Sequence, residues 1–244
     1  MARRSLALLL ASSLALMSAA VASADSWLYD KFNTDGTVRT QYDASGQEVA
    51  MLSLDRSSGA GFNSKEQYLY GEFSVQMKLI PGNSAGTVSC FYLSSGDGDG
   101  HDEIDMEFMG NASGQPVVLN TNVWASGDGK KEHQFDLWFD PSADYHTYTI
   151  IWNPDHILFK VDGDVIRGLK RYAELAYPSA KPMALPATLW DGRFWATRKG
   201  KLPVGLVRPA LFLFPTGGYP PNAGFCLPPL GKGDPIGRDP KKIG

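Results

Sequence analysis

From Glu66 to Ile80 apolar and polar residues alternate. Leu69, Phe73, Val75, Met77 and Leu79 fall on one face, and Tyr68, Tyr70, Glu72, Ser74, Gln76 and Lys78 on the other. Strand side chains alternate between two faces, so this pattern predicts a half-buried β-strand. Pro81-Gly82-Asn83 breaks it. Gly86 to Leu93 is apolar almost throughout and predicts a more buried strand. Pro116 to Trp124 alternates again, with Asn120, Asn122 and Trp124 opposite Val117, Leu119 and Val123. Tyr145 to Trp152 and Ile157 to Val161 predict further strands, and Asp162-Gly163 is a two-residue hairpin signal leading into Asp164 to Arg167. No segment carries the 3.6-residue stripe of an amphipathic helix; a short irregular helix is expected at most over Arg167 to Ala176. Many short strands separated by turn signals predict an all-β sandwich of the β-jelly-roll kind, one sheet face of which bends into a cleft.

Within that alternation one stretch is chemically unusual. Read as a strand, residues 101–109 put His101, Glu103, Asp105, Glu107 and Met109 on one face and Asp102, Ile104, Met106 and Phe108 on the other. The second face belongs in a core. The first stacks three carboxyl groups in a row, and like charges so close raise one another's pKa. A merely solvated acidic face would alternate with Thr, Lys or Arg, and only His101 stands in such a place. Carboxyl groups with displaced pKa values are what acid/base and nucleophilic chemistry on sugars requires.

Composition narrows the setting. Arg3 and Arg4, the apolar run from Ser5 to Leu16 and the small residues Ala22-Ser23-Ala24 form a secretory leader, so residues 1–24 are expected to be a signal peptide. No later stretch qualifies as a membrane helix. A mature chain of 244 − 24 = 220 residues suits one large β domain. The net charge of −3 argues against nucleic acid as a partner. Of the two cysteines, Cys90 lies in an apolar run and reads as a buried free thiol; a bridge to Cys226 stays open. Asn111-Ala112-Ser113 is a glycosylation sequon just past the acidic strand. Asp97, Asp99 and Asp102 lack the rest of a calcium loop, and the four histidines lack metal-ligand spacing, so no metal and no cofactor is expected.

HDEIDMEFMGN at 101–111 resembles the signature of plant xyloglucan endotransglucosylase/hydrolases, in glycoside hydrolase family 16. SGAGFNS (58–64), YLYGEFSVQMKLIPGNSAGTV (68–88), FYLSS (91–95), LWFDP (137–141), YHTYTIIWN (145–153), VDGDVIR (161–167) and LWDGRFWATRKGK (189–201) extend the resemblance over about residues 27–201. It implies a concanavalin-like jelly roll with a long open cleft, occupying residues 25–201, that acts on β-1,4-glucan backbones bearing xylose. The implied mechanism is retaining, with Glu103 as nucleophile, Glu107 as general acid and then base, and Asp105 as the helper between them. Glu103 and Glu107 have Cα atoms ~13 Å apart on a strand. Retaining chemistry needs carboxyl groups about 5–5.5 Å apart, a gap that two long side chains leaning over the shorter Asp105 are expected to close. By the same resemblance Asn120, Thr121 and Asn122, then Lys130, Lys131 and Glu132, then Phe194, Trp195 and Lys199 match stretches that contact substrate, with Trp195 the expected stacking platform. Where the family has Arg-Glu-Gln this chain has Lys131-Glu132-His133, and lysine lacks arginine's planar fork. Asn111 matches the family's glycosylation position. The expected partners are donor and acceptor xyloglucan, with the protein a monomer in the cell wall or apoplast.

Beyond Lys201 the resemblance stops. Proline and glycine dominate residues 202–244, which predicts an irregular tail. Gly205-Leu206-Val207 stands where the family carries Asp-Trp-Ser. GGA CTG GTC, one set of codons for that tripeptide, encodes the family's triplet when shifted by one nucleotide, so the tail is expected to be a frameshifted, mis-spliced or mispredicted reading of the family's C-terminal segment. A hydrolase or mixed-linkage glucanase on the same scaffold is the nearest alternative activity, and a glucan-binding product without turnover is the alternative of a different class.

Overall fold

A computed structural model describes residues 26–43, 46–55, 57–196 and 210–213, with the backbone alone for Trp195 and Leu213. The expected leader, Lys199, Gly205-Leu206-Val207 and Cys226 lie outside the described residues. A five-residue helix α1 (Trp27–Lys31) leads into β1 (Phe32–Tyr42), β2 (Glu48–Ser53), β3 (Ala60–Ser64), β4 (Gly71–Lys78), β5 (Thr87–Ser94), β6 (Glu103–Met109) and β7 (Val118–Trp124). There follow β8 (His133–Asp136), β9 (His146–Trp152), β10 (His156–Val161), β11 (Asp164–Lys170), β12 (Pro186–Asp191), the single turn α2 (Arg193–Ala196) and β13 (Ala210–Leu213).

Among the described residues thirteen strands follow the order β11-β10-β9-β4-β13-β2-β1-β3-β12-β5-β6-β7-β8, every pairing antiparallel. The long strand β1 serves both layers. Phe32 to Gly36 pairs with β3, and Thr37 to Tyr42 pairs with β2. The crossing falls at Gly36, whose φ of 68° suits glycine and whose Cβ, if it had one, would stand 2.0 Å from the Gly59 carbonyl oxygen. Aromatic contacts tie the two layers together. Phe108 of β6 meets Tyr148 of β9 edge-on at 4.6 Å, and Phe62 of β3 meets Phe212 of β13 at 5.6 Å. One continuous apolar core fills the space between, including Met77, Phe91, Ile104, Met106, Trp152 and Phe159, all fully buried. The architecture is the β-jelly-roll sandwich that the alternation predicts.

The expected strands form with small shifts of boundary. Asp162 and Gly163 both adopt left-handed backbone, the geometry of a two-residue hairpin turn, and carry β10 into β11. Leu69 departs from its predicted face: Tyr70 has φ 71°, the strand starts only at Gly71, and Leu69 is exposed. The helix expected over Arg167 to Ala176 is absent. Val165 and Ile166 favour extended backbone, and pairing with β10 carries the strand through to Lys170. The tail is not irregular throughout, because Ala210–Leu213 is inserted between β2 and β4.

Tyr148 is fully buried, and its hydroxyl finds no hydrogen-bond partner among the described residues. A buried unpaired hydroxyl costs about 1–3 kcal/mol. Tyr148→Phe keeps the ring against Phe108 and removes that cost. It is expected to unfold at the same or higher urea concentration than the parent; a clear fall in the midpoint would show that the hydroxyl contributes to stability.

Candidate active site

The row on β6 is built by register. On the cleft face of the layer, Glu103 stands between Ser94 of β5 and Trp124 of β7, Asp105 between Tyr92 and Asn122, and Glu107 between Cys90 and Asn120. The alternate residues Ile104, Met106 and Phe108 are at most 1 % exposed and anchor the strand in the core. The apolar half of the alternation thereby holds the acidic half still.

Each carboxyl has distinct partners. Asp105 is buried, and burial first, then the charges of Glu107 and Glu103, raise its pKa well above the usual range. Burial also raises Glu103, but His101 and hydrogen bonds from Asp105 and Ser94 oppose that rise. Of these two neighbouring carboxyls Asp105 is pushed up the further. Glu107 is raised by burial and by the charge of Glu132, while the Asn120 side-chain amide donates to its Oε2 at 2.9 Å and opposes the rise. Burial thus raises all three carboxyls, Asp105 the furthest. Carboxyl groups displaced together in a cleft mark a candidate for acid/base machinery.

Comparison with known proteins identifies the scaffold. The sequence model of glycosyl hydrolases family 16 matches residues 28–206. Xyloglucan endotransglycosylase/hydrolase protein 8 of Oryza sativa subsp. japonica is 58% identical over 220 residues, covering 85% of this chain and 76% of its own. The chain belongs to the xyloglucan endotransglucosylase/hydrolases of glycosyl hydrolase family 16. Xyloglucan endotransglucosylase/hydrolase protein 24 of Arabidopsis thaliana is 52% identical over 176 residues, 69% of this chain and 65% of that protein. Among solved structures, a β-glucanase of Bacillus licheniformis superposes with a TM-score of 0.60 at 25% identity, over 77% of this chain and 91% of the glucanase.

In this family 16 hydrolase the remaining expected site residues divide. Asn120 and Asn122 share the face of the row, but the Asn122 side-chain oxygen is occupied by the N–H groups of Val123 and Lys131. Thr121 points away from the cleft. It is fully buried between the layers, where its hydroxyl accepts from the Arg167 guanidinium at 2.7 Å. The period of two that puts its neighbours on the cleft face excludes it from that face. The Lys131 ammonium folds back onto its own turn, donating to the carbonyls of Asp128 and Gly129. Lys130 and Glu132 are exposed, and Glu132 lies near enough to Glu107 to act on it by charge. Phe194 is 88 % exposed on α2. Asn111 is half-buried at the end of β6, its amide nitrogen donating to the Pro116 carbonyl at 2.9 Å and its oxygen accepting from the Ala112 N–H.

Several residues of the site escape the sequence reading. An open groove of about 680 Å³ runs beside the row, lined by Asn33, Asp35, Asn63, Tyr92, Asp97 and Trp190 among others. Tyr92 and Ser94 come from a strand read only as buried. Their signal was a polar residue at every second place after Cys90. Among the described residues Cys90 is a buried free thiol, accepting from the Trp190 indole N–H at 3.2 Å, and burial pushes its pKa well up. His101 stacks on Trp124 at 5.0 Å, with its Nδ1 within 2.8 Å of the Gly98 carbonyl oxygen.

Proposed function

We propose that this chain is a secreted xyloglucan endotransglucosylase of the plant cell wall, working as a monomer on donor and acceptor xyloglucan chains. The observation that carries the reading is the row itself: Glu103, Asp105 and Glu107 stand side by side on the cleft face of one strand, with the Asn120 amide donating to Glu107. In the first step a Glu103 carboxylate oxygen attacks the anomeric carbon of a backbone glucose. Glu107 gives its proton to the departing glycosidic oxygen. A glycosyl ester on Glu103 and a shortened chain with a free hydroxyl result. Glu107, now a carboxylate, takes a proton from the hydroxyl of an incoming xyloglucan end, whose oxygen attacks the same carbon and releases Glu103. Asp105 supports both steps by donating to the Glu103 oxygen as its charge disappears and returns. Water in place of the second chain turns the same cycle into hydrolysis, and the structural likeness to a β-glucanase is the observation that favours this second reading. A glycan on Asn111 would sit at the mouth of the β6–β7 connection, clear of the row.

The test is size-exclusion chromatography of xyloglucan incubated with the protein, with and without labelled xyloglucan oligosaccharide. Label appearing in long chains establishes transfer. Shortening without incorporation establishes hydrolysis, and unchanged polymer with folded protein refutes both.

Folded-state pKa values raised above the unfolded ones mean that the native state holds extra protons. The associated stability is fully present below the unfolded carboxyl range, near 4, and is lost as pH rises through the raised values. Asp105→Asn keeps a hydrogen-bond donor beside Glu103 and removes the group that must charge. Its melting temperature is expected to fall less between mildly acidic and alkaline pH than the parent's, while turnover drops by roughly tenfold, about 1.4 kcal/mol of barrier. Parallel melting curves for the two proteins would contradict a raised Asp105 titration.

A further inference from the structure

Arg167 enters from the layer opposite the carboxylate row. It lies on β11, is 8 % exposed, and has its guanidinium 5.5 Å from the centre of the Phe159 ring on β10. One terminal nitrogen donates to both the carbonyl and the hydroxyl of Thr121, at 2.8 and 2.7 Å, and the other donates to the Lys131 carbonyl at 2.5 Å. All these acceptors are neutral. A guanidinium taken out of water needs compensation, and the carboxyl groups whose ionised forms act on it are Asp105 on β6 and Glu132 on the loop between β7 and β8.

The contacts converge on the back of the catalytic layer. Thr121 is the residue between Asn120 and Asn122. Lys131 is held twice, its N–H by the Asn122 side chain on the cleft side and its carbonyl by Arg167 from beneath. Arg167 therefore grips the strand that carries the Asn120 amide to Glu107 and the loop that carries Glu132 past it. We propose that Arg167 is a positioning residue for the carboxylate row, fixing β7 and the following loop from the opposite layer and supplying a buried positive charge behind Asp105. The kinetic part of this inference rests on the functional reading above; the electrostatic part does not.

The test pairs Arg167→Met with Arg167→Lys, each checked for folding by circular dichroism. Carbon-13 carboxyl titration follows Asp105 and its neighbours, and steady-state kinetics on xyloglucan separate kcat from KM. In Arg167→Met the Asp105 titration is expected to move to higher pH, because a cation that favours its charged form is gone. The kcat is expected to fall roughly tenfold or more, with KM changed less than about threefold, because interactions made in the transition state are lost. Arg167→Lys is expected to keep the titration near that of the parent while kcat stays below it, since lysine restores the charge and not the fork. If Arg167→Met does not fold, Arg167→Lys and Thr121→Val decide: a lowered kcat in both, with the Asp105 titration unmoved, supports the proposal. A folded Met variant with parental titration and kcat overturns it, as do parental kcat values in both Arg167→Lys and Thr121→Val. A parent that leaves xyloglucan unchanged defeats the functional reading, and the titration then decides the electrostatic part by itself.

Discussion

Glu103→Ala is expected to lower transfer and hydrolysis by roughly 10⁴-fold or more, the scale of loss when a nucleophile is removed from an intact catalytic unit. The substitution deletes the oxygen that bonds to the sugar, so no other residue of the row can stand in for it. Asp105 is too short and is buried, and Glu107 is committed to the leaving oxygen and held by Asn120. Folding should survive, because Glu103 lies on the half-buried cleft face while Ile104 and Met106 keep the strand in the core. Relieving the repulsion within the row offsets part of any lost packing. Xyloglucan binding, measured by affinity electrophoresis, should stay within a few-fold of the parent, since the groove walls at Tyr92 and Trp190 are untouched. A variant that retained near-parental turnover would remove Glu103 from the nucleophile's role.

The largest stability effect is expected far from the chemistry. Phe212 lies at the centre of β13, fully buried, paired with Ala50 on one side and Met77 on the other and packed edge-on against Phe62 of the opposite layer. Phe212→Ala is expected to cost about 3–5 kcal/mol through lost burial and the cavity left behind. That is a large share of the 5–15 kcal/mol by which domains are typically stable. A urea titration followed by tryptophan fluorescence measures it. A shift below about 1 kcal/mol would mean that β13 does not hold the sheet closed.

How far the sequence revealed all this depended on whether one period could be read without interference. The row was legible because residues 101–109 alternate cleanly and the charged half is chemically improbable on a stable surface. The same rule, applied residue by residue, separates Thr121 from Asn120 and Asn122; grouping the three by resemblance concealed it. Tyr92 and Ser94 were hidden because the first five residues of β5 are buried on both faces, which leaves too short a run of alternation to stand out. Arg167 was hidden because a cation that satisfies itself on backbone oxygens across the sandwich leaves no local pattern, and its segment could be mistaken for the start of a helix. β13 was lost in its surroundings. Pro209 and Pro215 bracket Ala210 to Phe214, and a composition dominated by turn formers masked four residues whose apolar character fits the slot.

The slot itself shapes how the protein is made. β2 and β4 face one another in sequence order, yet the strand that joins them begins at Ala210, 210 − 78 = 132 positions after the last residue of β4. During synthesis both strands emerge with their facing edges unpaired, and they stay so while nearly all the rest of the sandwich is translated. Unpaired edges recruit other chains, and closure by a distant segment is slow because the intervening loop must first be brought together. Closing this seam therefore requires a strand insertion, and until it occurs the facing edges of β2 and β4 are open to pairing with other chains.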